Sequence, residues 1–367
     1  MRLREIIKKK YSLLDITSIF IQSPLKYPYL PLKGSVRLSA MTRPEDISAD
    51  VTWSTSDPAV ATVDSQGNVT ACGKGTAVIN ASAAGAESVT ASYKITVPDI
   101  EKSRVRFIAH RGHSGIAPEN TRAAYRLAAE SPYFDAIECD IRRTRDGVFV
   151  NQHDNNMKRI FGVDVNITEV DYDTIKDLTA TGGSGMGKYP AEEVKPCRLE
   201  EYLDILRNSD KRAVIELKDV YSQELTDELY DLISSYGMNS RLDYISFHYQ
   251  ALLNITRSMN TFAVRNPGRA VIKPDLYLLT SSPWKNDPVI GDSTPAAWAL
   301  SHGYNLSISH KKLTAETVRM AHLAGRKVSV WTVDSCDCAA HYIFGLGVDC
   351  ITTNITMRRA FLTGLTV

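Results

Sequence analysis

Cysteine is scarce in this chain. Six occur among 367 residues, at positions 72, 139, 197, 336, 338 and 350, and no two form a C-x-x-C pair. That scarcity excludes a disulfide scaffold and a zinc ribbon. Long apolar runs are missing too: no stretch approaches the ~18 residues of a membrane span, so no transmembrane segment is expected. Neither sign of charge prevails. Forty-three Lys and Arg against 42 Asp and Glu leave +1, so no field of the whole chain recruits nucleic acid. What remains is ordinary globular composition, 43% hydrophobic and 23% charged, which excludes wholesale disorder. The length suggests two or three units of about 100–200 residues each.

Residues 1–15 carry five bases (Arg2, Arg4, Lys8, Lys9, Lys10) against Glu5 and Asp15. A basic start followed by Tyr11-Ser-Leu-Leu invites a signal-peptide reading. Asp15 interrupts the apolar stretch, however, and no small-x-small cleavage site follows. The segment reads as a basic N-terminal tail that orders on a neighbour; an anchor to a larger assembly or an anionic surface is the competing reading.

Residues 16–97 read as short strands: Val51-Thr-Trp-Ser-Thr, Val60-Ala-Thr-Val, Ala77-Val-Ile and Tyr93-Lys-Ile-Thr-Val. Asp57-Pro58, Gln66-Gly67-Asn68, Gly73-Lys74-Gly75 and Gly85 punctuate them as turns. Strands at that spacing without a helical period argue a small all-β sandwich, with Trp53 plugging its core. The residues V51-T-W-S-T-S-D-P-A-V-A-T-V-D, G67-N-V-T-A and G75-T-A-V-I resemble the bacterial immunoglobulin-like group 2 family. The resemblance implies a spacer or adhesion module of cell-surface and phage-particle proteins.

A linker at 98–104 follows, and over 105–367 strand-like runs alternate with helical stretches. The runs are Phe107-Ile-Ala, Ala136-Ile-Glu-Cys-Asp, Val214-Ile-Glu-Leu-Lys, Tyr244-Ile-Ser-Phe, Leu276-Tyr-Leu-Leu, Asn305-Leu-Ser-Ile, Val328-Ser-Val-Trp and Cys350-Ile-Thr-Thr. Leu225, Leu229, Leu232, Ile233 and Tyr236 share one face of a helix between two of them. Eight strands with helices between, in roughly 260 residues, is the arithmetic of an α/β TIM (β/α)8 barrel. An open doubly wound sheet is the competitor, but no G-x-G-x-x-G follows the first strand.

On a strand, Glu138 and Asp140 point to one face while Cys139 points to the other. Glu216-Leu-Lys218 repeats the arrangement on the next parallel strand. Like-charged carboxylates that converge in a barrel mouth must be neutralised or bind a cation. Oxygen-only ligands favour a hard ion, Mg²⁺ or Ca²⁺; salt bridges on a polar barrel floor are the structural alternative. Asp146-Gly147, read as a two-residue hairpin loop, sets Asp140 opposite His153 and brings that histidine level with the carboxylates. His110-Arg111-Gly112 closes the first strand, where barrel enzymes place catalytic groups. Arg111 offers a guanidinium fork suited to phosphate oxygens. Two histidines, carboxylates, Arg111 and Lys218 at one mouth fit phosphoryl chemistry.

H110-R-G, A117-P-E-N-T, E138-C-D-I-R-R-T-R-D-G, V150-N-Q-H-D, E216-L-K and V330-W-T-V, in that order, resemble the glycerophosphodiester phosphodiesterase family over about residues 105–357. The resemblance implies Glu138, Asp140 and Glu216 as ligands of one divalent cation. It implies His110 and His153 as the acid–base pair, Arg111 and Lys218 as phosphate contacts, and Asn120 as shaping the mouth. Ile167-Thr-Glu-Val through Gly182-Gly-Ser-Gly resembles the family's small insertion, which helps hold glycerol; Trp331 reads as a wall of the glycerol pocket, with a core role as the alternative. Two departures stand out: Cys350 where the family has glycine, and no proline after Asn354. His113 reads as structural or solvent-facing, and Cys336 and Cys338 as buried thiols.

The expected reaction is hydrolysis of a glycerophosphodiester to sn-glycerol 3-phosphate and an alcohol. A teichoic-acid polymer, itself a chain of glycerophosphodiesters, is the alternative substrate, since a surface module would hold the enzyme there. P-E-N-T and the insertion argue against a phosphoinositide or sphingomyelin lyase. Intact residues at every position of the site argue against a non-catalytic surface-binding protein. The immunoglobulin-like region and tail suggest surface or particle attachment, whereas the absent leader points the other way, so localisation stays open.

Overall fold

The computed structural model describes residues 16–44, 50–84, 86–267, 273–291 and 293–364; the basic stretch 1–15 and the turn residue Gly85 lie outside these. Two compact units form. One runs to Ser103 and takes in Ser335–Gly345 and the chain from Arg358 on; the other comprises Arg104–Asp334 and Leu346–Met357. Among the described residues no helix is long and apolar enough to cross a membrane.

Among the described residues the first unit has eight strands: β1 (Ser18–Gln22), β2 (Ser35–Arg37), β3 (Ser39–Arg43), β4 (Val51–Thr55), β5 (Ala61–Val63), β6 (Asn68–Ala71), β7 (Gly75–Ala83) and β8 (Ala86–Val97). They form antiparallel sheets ordered β4-β7-β8 and β2-β6-β5, with β1 paired to β3. Period-two alternation turns Ala77, Ile79, Ala81 and Ala83 of β7 inward. Ala77 and Ile79 join Leu38, Val69, Ile95 and Val97 in one core, and the half-buried Trp53 packs against it. At the β5–β6 turn Gly67 holds φ 81°, and a Cβ there would meet the Leu38 carbonyl at 2.5 Å and the Trp53 ring at 3.1 Å. Glycine is required at that point.

In the second unit the strands are β9 (Arg106–Ala109), β10 (Ala136–Arg143), β11 (Phe149–Asn151), β12 (Cys197–Arg198), β13 (Arg212–Leu217), β14 (Leu242–Ser246), β15 (Asp275–Thr280), β16 (Asn305–Ser309), β17 (Val328–Trp331) and β18 (Cys350–Thr353). Strands β9, β10 and β13–β18 pair in parallel, and β18 and β10 both pair with β9, so eight staves close into a barrel. Every predicted run becomes one of these staves. At the strand starts, Asp243 is shared between Arg106 at 2.9 Å and Arg212 at 2.8 Å, while Asp275 takes Lys327 at 2.5 Å. This ionic plug closes the end of the barrel opposite the candidate site, where sequence features serve stability. On the helix Gln223–Ser235 the buried stripe is Thr226, Leu229, Tyr230, Ile233 and Ser234, so Leu225 and Leu232 sit at its margins.

The hairpin formed by β10 and β11 differs from the expected one. Ile141 faces Asn151, Arg142 faces Val150 and Arg143 faces Phe149, a register one residue away from that of a two-residue loop. Three residues, Arg145-Asp146-Gly147, separate Thr144 from Val148, and the Thr144 N–H donates to the Val148 carbonyl at 2.9 Å to close the turn. Gly147 adopts φ 98°, and its N–H donates to the Thr144 carbonyl at 3.0 Å. This is the three-residue loop in which glycine takes the left-handed position. Asp140 therefore pairs with Gln152, whose N–H donates to its carbonyl at 2.9 Å, and His153 lies one residue beyond.

Between β11 and β12 the chain makes an insertion over residues 152–196, which begins before the stretch expected from Ile167. Met157, Ile160, Phe161, Ile167, Ile175, Ala180 and Val194 give it a small core of its own, joined to Ala117 and Val150 of the barrel.

Candidate active site

Strand alternation sets Glu138 and Asp140 on the inner face of β10, and parallel pairing puts Asp140 beside Glu216 of β13. Oxygens of Glu138, Asp140 and Glu216 lie within 4.8 Å of one another, and all three side chains are buried. Cys139 points the other way, wholly buried. Cations answer the negative charge. Lys218 Nζ stands 2.8 Å from Glu216 Oε1 and 3.4 Å from Asp140 Oδ1, and Arg111 Nε is 3.2 Å from Asp140 Oδ2. The Arg111 backbone N–H donates to Glu138 Oε2 at 2.7 Å.

Burial, then the Asp140 and Glu216 charges, push the Glu138 carboxyl well above the usual range. Burial and Asp140 push Glu216 up to about 7. Asp140 goes the other way: burial opposes ionisation, but Arg111, Lys218 and His153 outweigh it and hold the group low. Burial and mutual repulsion thus oppose ionisation of all three carboxyls at once, and a bound cation would favour it. Among the described residues Asp140 Oδ1 accepts no hydrogen bond, and no cysteine or histidine joins the cluster. The donor set fits a hard divalent ion.

His110 and His153 line one cavity of 280 Å³ together with Arg111, Glu138, Glu216, Phe247, Leu279 and Trp331. His110 follows β9, and its Nδ1 is 2.8 Å from Asn354 Oδ1. Asn354 is itself fixed by Asp334, through its N–H at 2.8 Å and its amide Nδ2 at 2.6 Å. Burial and the Arg111 charge push His110 down to about 4. His153 Nδ1 is 2.7 Å from Asp154 Oδ1, and burial holds this ring below its ordinary value despite the Asp140 charge. In both cases Nδ1 has a partner, which leaves Nε2 for proton transfer.

Two non-glycine residues here have left-handed backbone: Arg111 at φ 56° and Asn120 at φ 56°. The Asn120 N–H donates to the Arg111 carbonyl at 3.0 Å, so the two unusual turns hold each other. Gly112 follows at φ 77°, where a Cβ would meet Ala124 backbone at 2.7 Å. Asn120 is buried behind the cluster. Its Nδ2 donates to Asp140 Oδ2 at 2.8 Å and its Oδ1 accepts from Tyr125 Oη at 2.8 Å. Asp140, Lys218 and Asn120 therefore back the cavity, while the other six residues singled out in the sequence line it. Trp331, edge-on to Phe247 at 5.7 Å, keeps a buried indole N–H with no acceptor among the described residues.

Several participants escape the sequence reading. Asn354 and Asp334 carry no local signal, since Asn354 is 244 residues from the histidine it holds. Phe247 stands just beyond β14 and looks like any strand-end aromatic. Glu119 and Asp154 sit inside the motifs A117-P-E-N-T and V150-N-Q-H-D, so only their role was hidden. His113 is buried edge-on to Phe134 at 5.2 Å, away from the cavity and not facing solvent. Cys338 is buried, whereas Cys336 is only half-buried.

Residues 28–92 match the model of the bacterial Ig-like domain (group 2), and residues 110–356 match that of the glycerophosphoryl diester phosphodiesterase family. A glycerophosphodiester phosphodiesterase of Bacillus altitudinis is 27% identical over 261 residues, 69% of this chain and 96% of that protein. A protein of Mycoplasma genitalium is 31% identical over 159 residues, 42% of this chain; the match spans 64% of that relative's length. The crystal structure of a glycerophosphodiester phosphodiesterase from Parabacteroides distasonis superposes with a TM-score of 0.52 at 25% identity, covering 69% of this chain and 94% of that one. The family match begins at His110, ends beyond β18 and takes in each member of the carboxylate cluster; this chain belongs to the glycerophosphoryl diester phosphodiesterase family.

Proposed function

We propose that this enzyme hydrolyses a glycerophosphodiester to sn-glycerol 3-phosphate and an alcohol, with His110 and His153 as the acid–base pair. The observation that supports this reading best is the shared cavity: two histidines, each held through Nδ1, face one space with Arg111 and two buried carboxylates. One imidazole takes a proton from the attacking nucleophile and the other gives one to the leaving alcohol oxygen as its P–O bond breaks; water supplies the oxygen that replaces it on phosphorus in sn-glycerol 3-phosphate. Each transfer is typically worth about 10²–10⁴ in rate. Arg111 and Lys218 attract the phosphate oxygens, and Asn120 keeps Asp140 in place behind them. Trp331 forms a wall of the cavity on the glycerol side.

Glu138, Asp140 and Glu216 would hold Mg²⁺ or Ca²⁺, which when bound neutralises phosphate charge. The direct test is sn-glycerol 3-phosphate release from glycerophosphocholine and glycerophosphoethanolamine, with and without either ion. Absence of release under both ions overturns the reading for these substrates.

The bacterial immunoglobulin-like domain favours a second reading, a polymeric substrate such as teichoic acid met at a surface or on a particle. A purified teichoic acid assayed beside the small diesters decides between them. Faster release from the small diesters removes the polymer reading.

A further inference from the structure

Arg159 belongs to the insertion and not to the barrel, on the short helix Lys158–Phe161. Its guanidinium nevertheless holds two carboxylates that each lead into the site. Nη1 and Nη2 donate in parallel to Glu119 Oε2 and Oε1 at 2.9 and 2.7 Å. Nε donates to Asp154 Oδ2 at 2.6 Å. The other oxygen of Asp154 holds His153 Nδ1 at 2.7 Å, and Glu119 Oε1 also accepts from Arg111 Nη1 at 2.8 Å. One planar group thus joins His153 to Arg111, both of which line the cavity.

We infer that Arg159 is a positioning residue for the proposed reaction, setting the imidazole of His153 and the guanidinium of Arg111 in one geometry. The inference rests on the acid–base reading of His153. His153 lies beyond the last β10–β11 pair, so strand register does not set its ring. Its ring is oriented instead by Asp154, a half-exposed carboxylate that Arg159 in turn fixes. Arg159 is itself 45% exposed, so a single ion pair there would be worth little. Three N–H bonds in a fork, spread over two carboxylates, are a different case, because the planar group dictates where both acids stand. Lysine has the charge but not the fork. The insertion's own core, through Ile160 and Phe161, holds the backbone that carries Arg159.

The experiment compares wild type with Arg159→Lys, Arg159→Ala and Asp154→Asn on glycerophosphocholine, with thermal melts of each protein. A misplacement on the scale of 1 Å costs about 10²-fold. Arg159→Ala should lower kcat by about that factor with a much smaller change in KM, and Arg159→Lys should recover only part of it. Added guanidinium ion should restore activity to Arg159→Ala but not to Asp154→Asn. In ¹⁵N-histidine NMR the His153 ring signals should move in Arg159→Lys, a readout that needs no turnover. An inactive wild type sinks the proposed reaction and leaves the NMR arm to judge Arg159. An active wild type with unchanged kcat and unmoved His153 signals in Arg159→Lys overturns the inference, as does loss of activity that only follows a lowered melting temperature.

Discussion

The backbone carbonyl of His153 accepts two hydrogen bonds from Arg142, from Nη2 at 2.9 Å and Nε at 3.1 Å, and Asp219 holds the same guanidinium from the other side at 2.8 Å. The last ladder bond between the two chain segments is the Gln152 N–H to the Asp140 carbonyl, so this clamp anchors the backbone of the histidine one residue past the ladder. Replacing Arg142 with Met keeps the stem and removes the fork. Turnover should fall by about tenfold or more as His153 loses its backbone anchor. Steady-state kinetics check this; an Arg142→Met enzyme with wild-type kcat would show that the clamp is dispensable.

His153 and Glu216 should fail differently. His153→Ala removes no cluster ligand, so kcat should drop by about 10²–10⁴ while the response to added cation stays that of wild type. Glu216→Ala removes one of three oxygen donors, so cation affinity should fall and excess cation should restore part of the rate. A metal titration of both variants decides. Recovery of His153→Ala by excess cation would mean that the two roles are reversed.

Cation binding should also be visible without substrate. An ion that binds the folded chain alone stabilises it by about 2.7 kcal/mol at a hundredfold excess over Kd. The chelated protein should therefore melt lower than the Mg²⁺- or Ca²⁺-loaded protein. Glu138→Gln, which replaces a carboxylate held well above its usual range, should shrink that difference. Equal melting temperatures in chelator and in both ions would contradict a cation site at this cluster.

Acid sensitivity should trace in part to His113. Its ring is 6% exposed and burial pushes it down to about 4, against 6.5 for a free imidazole. The folded chain keeps the ring neutral while the unfolded chain protonates it. Stability from this residue is thus complete above about pH 6.5 and is lost as pH falls toward about 4. Urea unfolding of wild type and His113→Leu across that window gives the contribution, and the variant should show the shallower pH dependence. Parallel curves would assign the acid loss elsewhere.

Much of the molecule was legible in the linear sequence, because its signals are local and periodic. Eight apolar runs with helices between them call for a parallel sheet, and E138-C-D on such a run places two carboxylates on one face. His110-Arg111-Gly112 at a strand end marks the mouth of such a barrel, and Gly112 is needed where Ala124 approaches. Tertiary structure decided what short-range pattern leaves open. A one-residue difference in loop length moved His153 out of register with Asp140, and a clamp and a carboxylate chain replaced the ladder as its support. Asn354 reaches His110 only because β18 closes the barrel against β9, which no spacing in the sequence announces. Residue type and period are set by nearest neighbours along the chain. The partners that orient a side chain in three dimensions are set by which distant elements the closed barrel brings alongside it.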